Sequence, residues 1–275
     1  ILKKVEELGP QLIDSIIELV QIDSTEGQPE EGAPFGKGVA AALDKALEIA
    51  NNLGFETVNM DHHIGYARYG SGEDYICAIG HVDVVPPFSG YRENGVIYSR
   101  GVLDNKGPIL TCLYALYALK ELGFQPEKEI RIIFGCDEET GFEDLKYYLE
   151  REKPPVMGFT PDCKYPVVYA ERGRAVVEVS AKSAGDLMAL LNEYILNARN
   201  NGERFGIACQ DPEFGVLEVR NYKVLETEHG FGVQFSVSYP AGCTAEWLLE
   251  RIQESQGDRK VRLVSNYDPV RFEKD

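Results

Sequence analysis

Apolar residues recur at helical spacing from the start of the chain, with Leu8, Leu12, Ile16, Leu19 and Val20 on one face of residues 2–20. This predicts a helix interrupted only at Gly9-Pro10. A second helical pattern runs from about Val39 to Leu53 and stops at Gly54. The runs "FETVNM", "HIGYARYG" and "DYICAIG" then read as short strands. After the loop "HVDVVPPFSGYRENGVIYSRGVLDNKGP", residues 107–122 are apolar nearly all round, which predicts a buried helix. "EIRIIFGC" reads as a continuously buried strand, "GFEDLKYYLE" as a helix, and "YPVVYAERGRAVVEVS" as one or two strands. Strands apolar on both faces, alternating with helices, imply an α/β layer with a mostly parallel sheet and flanking helices.

Beyond about residue 180 the pattern changes. A helix at 185–199 precedes two alternating strands, "FGVLEVRNYKVLE" and "GFGVQFSVSYP", joined by a polar turn. A helix from Thr244 to about Glu254 and the strand "KVRLVSNY" follow. The expectation is a smaller α+β domain in which an antiparallel sheet carries two helices on one face. The predicted domains are therefore 1–180 and 181–275, with the boundary near Ser180.

Ligands of α/β sheets sit at the carboxyl ends of the strands, so polar residues just past buried strands are candidate site residues. His81 and Asp83 follow "YICAIG", Asp137-Glu138-Glu139 follow "RIIFGC", Asp104 opens the apolar helix, and Asp162 precedes the next strand. Taken singly, each has an ordinary explanation: a polar strand end, acids favoured by a helix dipole, an N-cap, a turn residue. Four such positions at successive sheet edges are harder to assign to capping alone. Zinc-type divalent ions accept imidazole and carboxylate together, and a two-metal site needs a bridging carboxylate. Residues i and i+2 of a strand share a face, so Asp83 can orient His81 as a ligand. Of Glu138 and Glu139, one can bind metal and the other can take a proton from water. His62-His63 and His229 read instead as loop histidines, and Trp247 as a helix residue packed on the second sheet.

Composition narrows the partners. With 28 Lys and Arg against 45 Asp and Glu, the net charge is −17. No basic stripe is available for a phosphate backbone or an anionic membrane, so nucleic acid and membrane are not expected partners. The acids suit cation binding or solvation. Six scattered cysteines without a C-x-x-C pair read as small buried hydrophobes of a reducing compartment. With no signal-peptide pattern and no apolar run of membrane-spanning length, a cytoplasmic protein is expected.

The segments "GAPFGKGVAAALDKALEIANNLGF", "GHVDVVP", "SRGVLDNKGP", "CDEETG" and "TPDCKYPVVYAERG" together resemble the M20 co-catalytic metallopeptidases, and within them the bacterial PepV-type dipeptidases. That resemblance implies an M20-type catalytic domain with a lid, and two zinc ions per site, with manganese or cobalt as alternatives. His81 and Asp162 would bind the first ion, Glu139 the second, and Asp104 would bridge them. Glu138 would be the general base and Asp83 the orienter of His81. The resemblance also implies a cis Asp104–Asn105 bond. The implied reaction is hydrolysis of a dipeptide with a free amino terminus, a small peptide substrate, by a monomer or homodimer. An N-acyl-amino-acid deacylase of the same family is the alternative, as is a non-catalytic fragment. Two family features lack a counterpart: a lid histidine ahead of the 186–199 helix, and the return to the catalytic sheet that brings a final metal-binding histidine. Both the catalytic and the lid domain are therefore expected to be partial.

Overall fold

The computed structural model describes residues 1–86, 90–93 (backbone only), 96–164, 167–227 and 230–273. They form two compact units, Ile1–Cys163 and Lys164–Asp275. In the first unit the elements are α1 (Leu2–Val20), α2 (Lys37–Asn52), β1 (Glu56–Met60), β2 (Ile64–Tyr69), β3 (Tyr75–His81), β4 (Gly90–Glu93), β5 (Val96–Ser99), α3 (Lys106–Glu121), β6 (Glu129–Gly135), α4 (Glu143–Leu149) and β7 (Met157–Phe159). α1 runs unbroken through Pro10, contrary to the expected interruption. Both Pro10 and Glu6, whose carbonyl would have accepted the missing N–H, are exposed, so the freed carbonyl faces water.

The five-stranded sheet has the order β1-β2-β6-β3-β7. β3 pairs in parallel with β6 and β7, while β1, β2 and β6 form an antiparallel flank. Apolar residues cover both faces, which explains the near-continuous hydrophobic runs of β3 and β6. On one face Ala78, Ile132 and Phe134 pack with Leu43, Leu47, Ile109 and Leu113 of α2 and α3. On the other, Ile133, Tyr66, Tyr75 and Cys77 pack with Tyr148 of α4. On that second face Arg131 is buried between the rings of Tyr66 and Tyr75, 4.4 and 4.0 Å from their centroids. It pairs with Glu129 at 2.6 Å and Glu152 at 3.0 Å.

The second unit contains β8 (Ala170–Glu171), β9 (Gly173–Ala181), α5 (Ala184–Leu191), β10 (Gln210–Asp211), β11 (Gly215–Val216), β12 (Glu218–Thr227), β13 (Gly230–Tyr239), α6 (Ala245–Gln256), β14 (Val261–Tyr267) and β15 (Val270–Arg271). Its main sheet, β12-β13-β9-β14, is wholly antiparallel. Ala175, Val177 and Val179 of β9 pack with Leu190 of α5 and with Leu248 and Ile252 of α6, so both helices cover the same face, as the pattern implies. Trp247 joins this cluster as a half-buried helix residue. The expected 185–199 helix is α5 followed by a π turn over Asn192–Leu196, where buried Tyr194 donates to the Ser255 carbonyl at 2.7 Å.

The units divide between Cys163 and Lys164, ahead of the boundary expected near Ser180. The physical reason is β9, which is the central partner of β13 and β14. Its residues alternate between buried and less buried, as a strand of a one-faced sheet must.

Candidate metal centre

The parallel register of β3 and β6 sets His81 opposite Gly135, so both strands deliver their next residues to one edge. Val82 N–H donates to the Gly135 carbonyl at 2.9 Å and Val84 N–H to the Ser24 carbonyl at 3.1 Å, while Ser24 Oγ donates to the Val82 carbonyl at 2.6 Å. The chain beyond His81 is thereby clamped from both sides. Asp104 reaches the same edge from the loop before α3, next to a cis Asp104–Asn105 bond of the expected kind. Asn105 is fully buried, and its Oδ1 accepts His81 N–H at 3.3 Å. A Cβ on Gly80 would lie 2.1 Å from that Oδ1, so only glycine leaves room for this approach. Lys106 is also fully buried and donates to the Leu19 and Ile22 carbonyls at 3.3 and 2.9 Å, tying the start of α3 to the end of α1.

His81 is at the centre of the cluster and only 2% exposed. Its Nε2 lies 3.0 Å from Asp104 Oδ1, 3.4 Å from Asp162 Oδ2 and 3.8 Å from Glu138 Oε2. Its Nδ1 lies 3.0 Å from the Asp83 carbonyl oxygen and 3.3 Å from Asp83 Oδ1. Asp83 Oδ2 accepts Glu139 N–H at 3.1 Å, so one buried carboxylate touches both the histidine and the acidic turn. Two triads offer ligand atoms within 4.8 Å of one another: His81, Asp104 and Glu139, and His81, Glu138 and Asp162. One imidazole among these carboxylates is a donor set suited to a borderline or hard divalent cation.

The electrostatics agree with a cation-seeking cluster. Burial alone would disfavour a charged His81, but hydrogen bonding to Asp162 and Asp83 and the charges of Asp83 and Glu138 outweigh it, pushing the imidazole up to about 11. The hydrogen bond from His81 in turn holds Asp162 below the usual carboxylate range. Burial, helped by the charges of Asp162, Glu139 and Asp83, pushes Glu138 up to about 7 against the opposing effect of His81. Burial and then Asp104 also raise Glu139. The acids around His81 thus favour positive charge at this edge, whether on the imidazole or on a bound cation.

All six candidate residues, His81, Asp83, Asp104, Glu138, Glu139 and Asp162, meet at this edge. Asp137 does not join them. Its carboxylate accepts Thr140 Oγ and Glu143 N–H, the latter at 2.9 Å, so it caps the acidic turn and the start of α4. His62 pairs with Asp44 at 2.9 Å, and His63 stacks on Tyr147 with ring centroids 3.8 Å apart, both in the turn between β1 and β2. His229 lies outside the described residues. Sequence reasoning passed over Asp144. This buried side chain accepts Cys136 and Asp137 N–H at 2.7 and 3.3 Å through Oδ2, and Leu145 N–H at 2.7 Å through Oδ1. The available signal was an acid in the first turn of a helix, which ordinarily marks only a dipole preference.

The profile of peptidase family M20/M25/M40 matches residues 77–267. The chain belongs to this family. Among curated M20 relatives, it is 41% identical over 160 residues to the Bacillus subtilis (strain 168) protein YtjP, covering 55% of this chain and 34% of that one. It is 38% identical over 193 residues to the beta-Ala-Xaa dipeptidase of Lactobacillus delbrueckii subsp. lactis, covering 65% of this chain and 41% of that enzyme. The chain thus spans less than half the length of these two M20 relatives. Human carnosine dipeptidase 1 has the same fold at 18% identity, with a TM-score of 0.67 over 100% of this chain and 82% of that one. No helix among the described residues is long and apolar enough to cross a membrane.

Proposed function

We propose that this M20 chain carries the ligands and the general base of a two-metal dipeptidase acting on dipeptides with a free amino terminus. The convergence of His81 with Asp104, Glu138, Glu139 and Asp162 carries the reading. The likeness to a beta-Ala-Xaa dipeptidase supports the substrate class. His81 and Asp162 would hold one ion and Glu139 the second, with Asp104 between them. A divalent ion bound there supplies Lewis acidity to a scissile carbonyl and makes water a better nucleophile near neutral pH. Zinc, manganese and cobalt all suit the donor set.

The protein's own groups do the rest. The Asp83 carbonyl holds the Nδ1 side of His81, with the buried Asp83 carboxylate 3.3 Å behind it, which leaves Nε2 directed at Asp104 and Asp162. The same carboxylate fixes the Glu139 amide, and with it the turn that presents Glu138. Glu138 takes the proton from the attacking water and returns it to the leaving amine, a double role suited to a carboxyl raised toward neutrality by burial. The test is metal analysis with a dipeptide panel, free and N-acylated, on protein of the relatives' full length. Cleavage of the free dipeptides, lost in Glu138→Gln by at least about 100-fold with metal retained, is the expected result. Full activity in that variant removes Glu138 as the base, and preference for N-acylated substrates replaces the dipeptidase reading with a deacylase.

A further inference from the structure

We infer that Cys209 and Cys243 form a reversible dithiol–disulfide pair, a modification site in the second unit. The six cysteines read from sequence as inert buried thiols, yet these two, 34 residues apart, bring their Sγ atoms within 2.7 Å of each other as free thiols. That is closer than two unbonded sulfurs pack. A small side-chain adjustment separates it from the bonded distance of about 2.05 Å. Both main chains are already fixed. The Cys209 carbonyl accepts Leu217 N–H at 3.0 Å, and Cys243 N–H donates to the Pro240 carbonyl at 3.0 Å. Thr244, the next residue, caps α6 by accepting Trp247 N–H at 3.2 Å. Bond formation therefore joins two sulfurs that these backbone hydrogen bonds already hold side by side.

Exposure sets the order of events. Cys243 is buried and Cys209 half-buried, so a small reagent reaches Cys209 first. With a low-molecular-weight disulfide such as oxidised glutathione, the Cys209 thiol gives up its proton to solvent, its sulfur attacks one sulfur of the reagent, and the reagent's S–S bond breaks, releasing one glutathione thiolate that takes up a proton. Cys243 then loses its proton, attacks the Cys209 sulfur of the mixed disulfide and expels the second glutathione. The protein loses two electrons and two protons, and the two glutathione thiols gain them. The product ties the β10–β11 hairpin, which begins immediately after Cys209, to the turn that opens α6. Two-residue strands belong to the parts of a fold that open most readily, and a crosslink at their base suppresses that opening. This inference is independent of the metal centre in the first unit.

The intact chain is incubated with oxidised glutathione, its remaining thiols are blocked with N-ethylmaleimide, and it is digested without reduction. Trypsin cuts after Arg204, Arg220, Lys223 and Arg251, so the expected product is peptide 205–220 linked to peptide 224–251 within one chain. The linked form should melt about 5–10 °C higher, with the shift reversed by dithiothreitol and absent in Cys209→Ser and Cys243→Ser. Recovery of both peptides alkylated at Cys209 and Cys243 overturns the inference. So does linkage found only between chains or only to the exposed Cys163. The wild-type peptide map decides the question even if a serine variant fails to fold.

Discussion

Replacing Asp144 with alanine removes the acceptor that holds the base of the turn bearing Glu138 and Glu139. The side chain is 1% exposed and accepts three backbone N–H groups, two of them at 2.7 Å. A buried donor left without a partner costs about 1–3 kcal/mol, so the two short bonds account for about 4 kcal/mol. The space left behind adds about 1 kcal/mol. Against this stands the cost of the carboxylate itself. Burial pushes the Asp144 carboxyl up to about 6, aided by the charges of Asp83 and Asp137 and opposed by its bonds to Cys136 and Leu145. Displacement from the ordinary value of about 3.9 is worth about 3 kcal/mol.

The pH dependence follows from that displacement. Below about pH 4 the carboxyl is protonated in both the folded and the unfolded chain. Between about pH 4 and 6 only the unfolded chain releases the proton, so wild-type stability falls across this window and stays lower above it. Alanine has no proton to release. The variant should therefore be about 5 kcal/mol less stable than wild type at pH 4 but only about 2 kcal/mol less stable at pH 7. Urea denaturation of both proteins in chelator, followed by far-UV circular dichroism at pH 4.0, 5.5 and 7.0, reads the difference directly. A penalty that grows from pH 4 to pH 7 refutes the premise that burial outweighs the three N–H donors.

Other substitutions probe the scaffold around the site. Arg131→Met leaves Glu129 buried, with Arg68 3.7 Å away as a remaining cationic partner, and removes two cation–π contacts; a loss of about 4 kcal/mol in urea denaturation is expected. The double variant Glu129→Gln/Arg131→Met should recover part of it, and a single variant within about 0.5 kcal/mol of wild type would show the cluster to be dispensable. Gly80→Ala places a Cβ against Asn105 Oδ1 and 3.0 Å from Ile109 Cβ, so Asn105 must move. Metal affinity should fall about 10-fold or more, the scale of losses from disturbing groups that orient ligands, and unchanged affinity would show that the Asn105 contact does not position His81.

The sequence made the parallel core legible because β3 and β6 are apolar on both faces, and polar residues directly after such strands stand out. His81, Asp83 and the 137–139 acids were visible for that reason. The residue types alone did not separate Asp137 from Glu138 and Glu139, which only the family resemblance distinguished; in the structure Asp137 turns back to cap α4, while the Glu139 amide is held by Asp83. Asp144 was invisible because its importance lies in two N–H groups seven and eight residues upstream. The division of the chain ahead of β9 had a readable signal. "GRAVVEVSA" alternates, unlike the unbroken runs of β3 and β6, and alternation marks the one-faced sheet to which β9 belongs. Pro10 misled because a proline penalty depends on where the freed carbonyl points, which is a tertiary property.

The most direct measurement is a calorimetric titration of chelator-stripped protein with zinc or manganese, comparing wild type with His81→Ala, Glu139→Gln and the remote control His62→Ala, each checked for folding by circular dichroism. Wild type and His62→Ala should bind saturably, Glu139→Gln should lose at least about 10-fold in affinity, and His81→Ala should lose more. Equal binding by wild type and folded His81→Ala would contradict a metal site centred on His81.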